Sequence, residues 1–351
     1  MVRKYVLGLA TALALLMVVS IVGAASTVCT DNMKHPDKFN AKGNVLISDQ
    51  FNNRIIEVNP ATRNIVWSFG ANNSSDGTVN DTTVVGPNWA ERLSGGRTLI
   101  AGTGIGAGAS PDLPAGAADD RVFVVNKAGK IVWQYGQAGV AGNGTNQLDT
   151  PVAAIQLPNG NYLITDQANN RIIEVNKAKK IVWSYGNDTL LQDPNSAELL
   201  KNGHILIADE NNNRVIEITR SGKIVWQYNG TIQAAAFASR LPNKVTLITD
   251  SGNSRILKVN KTNDTIFEYF TNTDAGSNTA PLPSNAVQLK NGNIMIADQF
   301  NHRVFEINCA KKNIWQYGMI NAPGNGVNMT NAPYTAFVIG DYTGQTVPQG
   351  M

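Results

Sequence analysis

The stretch IADENNNRVIEI, residues 207–218, is repeated along the chain with small changes. Copies of it are ISDQFNNRIIEV (47–58), ITDQANNRIIEV (164–175), ITDSGNSRILKV (248–259) and IADQFNHRVFEI (296–307). Each copy places an Asp five residues before an Arg. A repeat with a period of about 40 to 50 residues indicates a stacked or radial architecture.

Alignment on the arginine gives six units, because a sixth, divergent copy is centred on Arg121. An aromatic residue follows each arginine after twelve or thirteen positions. The arginine and aromatic pairs are Arg54 and Trp67, Arg121 and Trp133, Arg171 and Trp183, Arg214 and Trp226, Arg255 and Phe267, and Arg303 and Trp315.

Each unit reads as four short strands. Asn-Gly in LPNGN or LKNGH joins two apolar runs and is a strong hairpin signal, since Asn and Gly tolerate positive φ. The second run ends at the Asp, the third begins at the Arg, and a further turn leads to a fourth run such as IVWQY. The pattern predicts an all-β protein, a six-bladed β-propeller of four-stranded antiparallel blades.

The two chain ends are predicted to close this ring. The segment GNGVNMTNAPYTAFVIG near the C-terminus parallels GNGTNQLDTPVAAIQL after the second unit. We therefore expect residues 333–339 to pair beside residues 44–49 as the innermost strand of blade one. The propeller would span residues 43–351, with an insertion at 103–119 in blade two.

The N-terminus predicts export. Arg3 and Lys4 precede an apolar run that ends in small residues near Ala25, which is typical of a signal peptide over residues 1–25. The run is also nearly long enough to remain as an uncleaved membrane anchor. Residues 26–42 would then form an N-terminal arm, and the rest of the chain would be secreted or held at the cell surface.

The net charge argues against nucleic acid as a partner. The full chain carries +3, and loss of Arg3 and Lys4 leaves +1, without a basic excess for binding a polyanion. A membrane contact is predicted only through the N-terminal anchor.

The repeated Asp and Arg predict a structural clamp at each turn, because a binding or catalytic residue seldom needs to occur once in every repeat. Calcium is excluded, since Arg214 and Arg220 stand where an EF-hand loop needs Gly and Glu. The predicted clamp residues are Asp49, Arg54, Asp166, Arg171, Asp209, Arg214, Asp250, Arg255, Asp298 and Arg303.

Blade two breaks the pattern, with Gly102 in the place of the Asp and a Gly-rich insertion after it. Pro111 and Pro114 exclude the helix of a dinucleotide-binding fingerprint. The insertion is either a flap that helps bind a ligand at the channel mouth or a disordered decoration. Asp120, Arg121 and His302 are the candidate binding residues on that rim.

No catalytic residue, metal site or cofactor is predicted. Of the three histidines, His204 precedes a second strand and His302 follows one, so the two belong to opposite ends of the propeller, and His35 lies in the arm. These residues do not converge on a metal ion, and no nucleophile and base share a suitable spacing.

Cys29 and Cys309 are the only cysteines, and in an exported protein they either form a disulfide or remain as two separate thiols. Acceptor motifs for N-glycosylation predict a glycoprotein in a suitable host. They lie at Asn72, Asn73, Asn80, Asn143, Asn187, Asn229, Asn260, Asn263 and Asn328.

With ADENNNRVIEI, TDQANNRIIEV and ADQFNHRVFEI each preceded by NGNxLI or NGHILI, residues 43–339 resemble the NHL-repeat family of six-bladed propellers. A weaker similarity, carried by AELLKNGHILIADENNNRVIEI and IVWQYN, is to the arylsulfotransferase propellers. Their catalytic His has no counterpart ahead of Leu157, Leu200 or Leu289. The peptide-amidating lyases of the NHL family bind zinc through histidines. This chain has no counterparts of those histidines on a common rim.

The sequence therefore predicts a non-enzymatic binding or scaffold module that recognises a protein or a glycan. A propeller enzyme, a lyase or hydrolase or a degenerate arylsulfotransferase-like protein with its site at the channel mouth, is the alternative.

Overall fold

The structure, a computed structural model, describes residues 37–346. The predicted signal segment 1–25, His35, Cys29 and most of the arm lie outside the described residues. The first twelve strands are β1 Val45–Asp49, β2 Arg54–Val58, β3 Ile65–Gly70, β4 Pro87–Leu93, β5 Arg97–Gly102, β6 Arg121–Val125, β7 Ile131–Tyr135, β8 Pro151–Gln156, β9 Tyr162–Asp166, β10 Arg171–Val175, β11 Ile181–Tyr185 and β12 Pro194–Leu199. The other twelve are β13 Ile205–Asp209, β14 Arg214–Ile218, β15 Ile224–Tyr228, β16 Ala235–Arg240, β17 Thr246–Asp250, β18 Arg255–Val259, β19 Thr265–Phe270, β20 Pro283–Gln288, β21 Ile294–Asp298, β22 Arg303–Ile307, β23 Asn313–Gly318 and β24 Pro333–Val338.

These strands form six antiparallel sheets of four strands, the blades of the propeller. Blades two to six are built from consecutive strands, β4–β7, β8–β11, β12–β15, β16–β19 and β20–β23, while blade one has the order β24-β1-β2-β3. The all-β fold, the six blades and the closing C-terminal strand are thus confirmed.

Ring closure depends on the pairing of β24 with β1. Val45 is opposite Val338 and Ile47 is opposite Ala336, with a register shift between Ser48 and Asp49. The innermost strands contact one another in the cyclic order β4, β8, β12, β16, β20 and β24 and back to β4. The first strand of each blade therefore surrounds the central axis, and no described blade is left with an open inner edge.

The two ends of the propeller differ, and we name them here. The clamp face is the end where second strands give way to third strands, as at Asp49 and Arg54. The hairpin face is the opposite end, where innermost strands turn into second strands.

Short 3₁₀ turns occur at both faces, at Gln50–Asn52, Ser94–Gly96, Pro242–Lys244, Ser251–Asn253 and Gln299–Asn301. Within residues 37–346, no helix has the length and apolar character needed to cross a membrane.

Burial falls from the axis outward. The innermost and second strands are almost completely buried, whereas the outermost strands expose apolar side chains such as Val132, Val182 and Val225. The recurring aromatic residue of the outermost strand packs against the next blade, as when Trp133 stacks on Tyr162 with ring centroids 4.0 Å apart. Wedge-shaped gaps between blades are thereby filled by large rings.

Candidate functional site

The clamp face carries a repeated ion pair in five blades. The Nε of the arginine donates to Oδ2 of the aspartate at 2.6–2.8 Å, and the aspartate is buried in every case. The two residues are register partners at the end of the second strand and the start of the third. The pairs are Asp49–Arg54, Asp166–Arg171, Asp209–Arg214, Asp250–Arg255 and Asp298–Arg303.

Both partners also bind the connector that enters the blade from its predecessor. In blade three, Asp166 Oδ1 accepts the backbone N–H of Asp149 at 2.8 Å, and its Oδ2 accepts Asn169 Nδ2 at 2.9 Å. Arg171 Nη1 donates to the carbonyl of Asn143 at 3.1 Å. The repeated carboxylate and guanidinium therefore satisfy backbone groups of the connector, which would otherwise be buried without partners.

The residue before each arginine adopts a left-handed conformation, with φ of 50° at Asn170 and at Asn213. Asn170 Oδ1 accepts the N–H of Asp193, and Asn213 Oδ1 that of Ala234, each just before the innermost strand of the next blade. Asn tolerates this backbone conformation and supplies the acceptor, which explains its recurrence in NNNR and ANNR.

Blade two obtains its carboxylate from a residue that sequence reasoning did not select. Arg121 Nε donates to Asp119 Oδ1 at 2.6 Å, and Asp119 Oδ2 accepts the N–H of Val85 at 2.8 Å. A Cβ at position 102 would lie 2.5 Å from Asp119 Cγ, so Gly102 leaves the space that this carboxylate occupies. The signal in the sequence was a Gly at the Asp position, followed by an insertion ending in Asp-Asp-Arg.

The candidate binding residues Asp120, Arg121 and His302 occupy these same structural positions. Asp120 and Arg121 are 2% and 1% exposed, so neither side chain offers a surface to a ligand. Asp120 Oδ1 accepts the N–H of Thr150, and half-buried His302 accepts that of Ala332 on Nδ1 at 3.1 Å. Both residues therefore act as the Asn acceptors of other blades do.

The surroundings of Asp120 and of His302 shift the pKa of each side chain. Burial raises the pKa of Asp120 to about 6, with the nearby carboxylates of Asp149 and Asp119 adding to the shift. Burial lowers the pKa of His302, and an Nδ1 that accepts a hydrogen bond must be unprotonated. At both sites burial disfavours the charged form, because that form loses hydration.

Blade six lacks one bond of the pattern. Asp298 Oδ1 is buried and accepts no backbone N–H within residues 37–346. The residue that corresponds to Asn331, the donor to Asp49 in blade one, is Pro281, which has no N–H. Burial raises the pKa of Asp298 to about 6.

The insertion of blade two is ordered and lies on the clamp face. Ile105 and Ala117 form a β-bridge, and Ile105 is buried in a cluster with Phe51 and Val85. Phe300 of blade six packs against the same cluster. The disordered alternative is therefore wrong, while a role of residues 103–119 in ligand binding stays a prediction.

Apolar side chains fill the central channel. Trp89 contacts the ring of Phe337 edge-on at 5.0 Å and that of Phe237 at 6.1 Å, measured between centroids, and Phe337 also contacts Tyr342. The cavity left among them measures about 10 Å³. This is no more than the space of one water molecule, so the cavity that these described residues enclose has no room for a substrate.

The segment after β24 crosses the channel on the hairpin face. Lys290 N donates to Asp341 Oδ1, and further along the segment the backbone N–H groups of Gln345 and Thr346 donate to Glu198 Oε1 at 2.6 and 3.2 Å. Glu198 is buried, and burial raises its pKa to about 7. The C-terminal residues thereby cover this end of the channel from blade six to blade four.

Amide side chains occupy the channel end at the clamp face. Gln299 Nε2 donates to Gln50 Oε1 at 2.8 Å, and Gln50 Nε2 donates to Asn88 Oδ1 at 2.7 Å. Across the axis, Asn195 Nδ2 donates to Tyr334 Oη at 2.8 Å. Neither end of the channel is therefore an open mouth.

The remaining sequence predictions concern residues that the structure does not bring into one site. His204 lies on the hairpin face and His302 on the clamp face, and among residues 37–346 no group of three His, Cys, Asp or Glu side chains is placed to hold a metal ion. Cys309 lies in an exposed turn between β22 and β23, and its pairing with Cys29 stays a prediction. Seven of the nine predicted glycosylation sites are exposed, whereas Asn260 and Asn328 are half-buried.

Comparison with solved structures agrees with this architecture. A protein of unknown function from Bacteroides caccae superposes with a TM-score of 0.60 at 17% identity, over 83% of this chain and 98% of the other. Virginiamycin B lyase from Staphylococcus aureus gives a TM-score of 0.47 at 17% identity, over 69% of this chain and 75% of the lyase. At 17% identity, the likeness to the Bacteroides caccae protein concerns the fold alone. No curated protein matches the chain.

A protein-family model matches most of the sequence. The model, described as outer membrane protein assembly factor BamB, matches residues 26–228 and again 118–317, as expected when a repeat array can be aligned in more than one register. Together the two matches extend over all six blades. The chain therefore belongs to the β-propeller family whose model is described as outer membrane protein assembly factor BamB.

Proposed function

We propose that this protein is an exported binding or scaffold module that works through the outer surface of its propeller and catalyses no reaction. The observation that carries the proposal is the filled channel. The blades of a propeller surround a central channel, and here the rings of Trp89, Phe237 and Phe337 occupy it. A partner must then bind to a face, a seam between blades or an outer strand.

Two observations support a location outside the cytoplasm, either secreted or at the cell surface. Residues 1–25 have the basic start, apolar middle and small-residue end of an export signal. The family model is described as an outer membrane protein assembly factor. The finer kinship with NHL repeats belongs to this proposal too, supported by the repeated Asp and Arg motif.

The alternative, a propeller lyase or hydrolase, has one observation in its favour. Glu198 is a buried carboxyl with a pKa of about 7, a value suited to general acid or base catalysis. However, its oxygens accept backbone N–H groups from Arg240, Gln345 and Thr346. The adjoining cavity of about 10 Å³ admits no substrate, so we prefer a structural role for this carboxyl.

Two experiments on the same cells test the proposal: chemical labelling tests export, and photo-crosslinking tests partner binding. A cysteine placed at exposed Thr262 should react with a membrane-impermeant maleimide that is added to intact cells together with their medium. Photo-crosslinking residues placed in turn on the clamp face, the hairpin face and the outermost strands should give a discrete adduct from one of these surfaces. Absence of labelling contradicts export, and absence of adducts from all three surfaces contradicts the binding role.

A further inference from the structure

Two seams between blades bring together a Trp, a Glu and an arginine of an innermost strand, and within residues 37–346 only one of these two seams is covered. At the seam of blades one and two, Trp67, Glu57 and Arg92 lie together, with Arg92 Nη2 2.6 Å from Glu57 Oε2 and the guanidinium 4.8 Å from the Trp67 ring centroid. We call this the covered seam. Its other wall is formed by Lys127, in the turn before β7.

The N-terminal arm occupies the covered seam with an aromatic ring. Phe39 lies 4.5 Å from the Arg92 guanidinium, 5.1 Å from Lys127 Nζ and 6.0 Å from the Trp67 ring, measured to ring centroids. The backbone N–H of Asn40 donates to Glu57 Oε1 at 2.6 Å. A peptide segment is therefore held by cation–π contacts and by one backbone bond to the carboxylate.

The seam of blades four and five repeats these groups without an occupant from the described chain. Arg240 lies 4.8 Å from the Trp226 ring, and its Nη2 is 3.0 Å from Glu217 Oε2. Lys261 stands at the position of Lys127. We call this the open seam. Its groove, on the hairpin face, has a volume of about 640 Å³, within the range of roughly 300–1,000 Å³ typical of ligand sites.

Several donors in the open seam lack acceptors. The Arg240 side chain is 9% exposed, and its Nε makes no hydrogen bond within residues 37–346, while its Nη2 has only the ion pair with Glu217 at 3.0 Å. In the covered seam the Nε of Arg92 is also unbonded within the described residues, but Arg92 donates to both Glu57 and Thr98. A nearly buried guanidinium with free N–H groups is costly unless an acceptor is supplied from outside.

The indole of Trp226 differs from its counterparts in the same way. Its equivalents in blades one, two, three and six each donate Nε1–H to a carbonyl of the following blade, as Trp67 does to Lys127 at 2.9 Å. For Trp226 no such bond is found in the described part of the chain. The open seam therefore presents an aromatic face and unpaired donors together.

The charge of the groove selects an acidic ligand. Lys201, Lys244 and Lys261 are exposed at its rim, and Arg240 forms its wall. The one carboxylate, Glu217, is already engaged: burial by itself would raise its pKa, but hydrogen bonds that include one from His204 outweigh burial and lower it. Four cationic side chains thus face one carboxylate.

From this comparison we infer that the open seam binds a peptide segment of a partner protein that presents an aromatic side chain between acidic residues. The aromatic ring takes the position that Phe39 has in the covered seam, over the Arg240 guanidinium. The flanking carboxylates pair with the three lysines. This inference rests on the proposed binding function and names the surface and the class of partner.

The test uses the full mature chain and a labelled peptide, Asp-Asp-Phe-Asp-Asp with blocked ends, followed by fluorescence anisotropy. We expect binding that falls with salt, and a loss of at least about tenfold when Ala replaces the Phe of the peptide. Arg240→Gln should also weaken binding by at least about tenfold. The matched variant in the covered seam, Arg92→Gln, should leave binding unchanged.

A second variant tests the groove without changing any buried residue, so that a loss of binding does not reflect unfolding. Lys244→Glu combined with Lys261→Glu alters only exposed groups and should weaken binding by about tenfold or more with an unchanged melting temperature. Lys127→Glu with Lys130→Glu is the corresponding control at the covered seam and should bind normally. Equal binding by all four variants would overturn the inference.

Other occupants are distinguished by the same variants. If polyglucuronate binds at the groove and the peptide does not, the ligand is an acidic glycan. That result would overturn the inference of a peptide ligand. Dimerisation of the chain that Lys244→Glu with Lys261→Glu abolishes would identify a second copy and also overturn it. Crosslinks from the clamp face or outer strands, with none from the groove, would reject the open seam and leave the proposed binding function standing.

Discussion

In blade two and in blade three, the first arginine of the third strand bonds to a buried carboxylate, but the carboxylates come from different places in the chain. Asp166 is the register partner of Arg171, whereas Asp119 stands two residues before Arg121, at the end of the insertion. Both carboxylates also accept a connector N–H. The fold therefore needs a carboxylate at this point in space, and this carboxylate need not come from one fixed position in the repeat.

The arginines make equivalent bonds despite this difference. Arg121 Nη1 donates to the carbonyl of Asn80 at 3.0 Å, as Arg171 Nη1 does to that of Asn143. Blade two has Gly102 where the other blades have the Asp. The carboxylate of Asp119 occupies the space that this glycine leaves. The insertion therefore has a structural function.

The largest effect expected is from Asp119→Ala. Arg121 is 1% exposed, and removal of its carboxylate leaves a buried charge, which costs about 3–5 kcal/mol. Asp166→Ala should cost less, because the Arg171 side chain is 16% exposed and regains some hydration. Urea unfolding of both variants measures the difference.

Two further variants sharpen this test. Asp112→Ala, at an exposed position in the same insertion, should change stability by less than about 0.5 kcal/mol. Gly102→Asp added to Asp119→Ala restores the arrangement of blade three and should recover much of the loss. A cost below about 1 kcal/mol for Asp119→Ala alone would show that blade two does not need the carboxylate.

A smaller loss is expected from Gly102→Ala. The added Cβ would lie 2.5 Å from Asp119 Cγ and 2.7 Å from its oxygens, so the carboxylate must move from Arg121. Overpacking of this kind costs about 1–3 kcal/mol. Gly106→Ala, where the Cβ meets no atom within 4 Å, is the control, and thermal unfolding is the measurement. Equal melting temperatures for the two variants would contradict the exchange of volume between Gly102 and Asp119.

The smallest effect concerns pH and compares blade six with blade four. His302 has a lowered pKa, so below pH about 6.5 the unfolded chain binds a proton that the folded chain resists, and stability falls as the pH falls. His302→Asn should reduce this loss, and Asn213→His should introduce a similar loss in blade four. Melting temperatures between pH 5 and pH 8 measure both. An unchanged pH dependence in His302→Asn would exclude the bond to Ala332 as its source.

The fold could be predicted from sequence because its determinants are local and repeated. Asn-Gly turns, β-branched runs and the Asp and Arg motif specify each blade within about 50 residues. Ring closure was also predictable, since residues 333–339 repeat the innermost-strand pattern. The left-handed conformation of the residue before each arginine is also visible in the sequence, because that residue is Asn in three of the six blades.

The arrangement at sites between blades was much harder to predict. Asp119 replaces a residue seventeen positions earlier, and the periodic pattern carries no information about such an exchange. Asp120 and His302 look like exposed binding residues in the sequence. In the structure each accepts a backbone N–H at the boundary with the next blade. The packing of Phe39 on Arg92, like the cap formed by residues 341–346, joins segments that are distant in sequence and follow no periodic pattern.

The pairing of β24 with β1 has a consequence for the synthesis of the protein. Blades two to six are each built from contiguous residues, so each has its four strands as soon as its own segment is available. Blade one, although translated first, must wait with the exposed edge of β1 until the last residues arrive. We therefore expect closure of the ring to be the slow, final step of folding, because it joins the most distant parts of the chain.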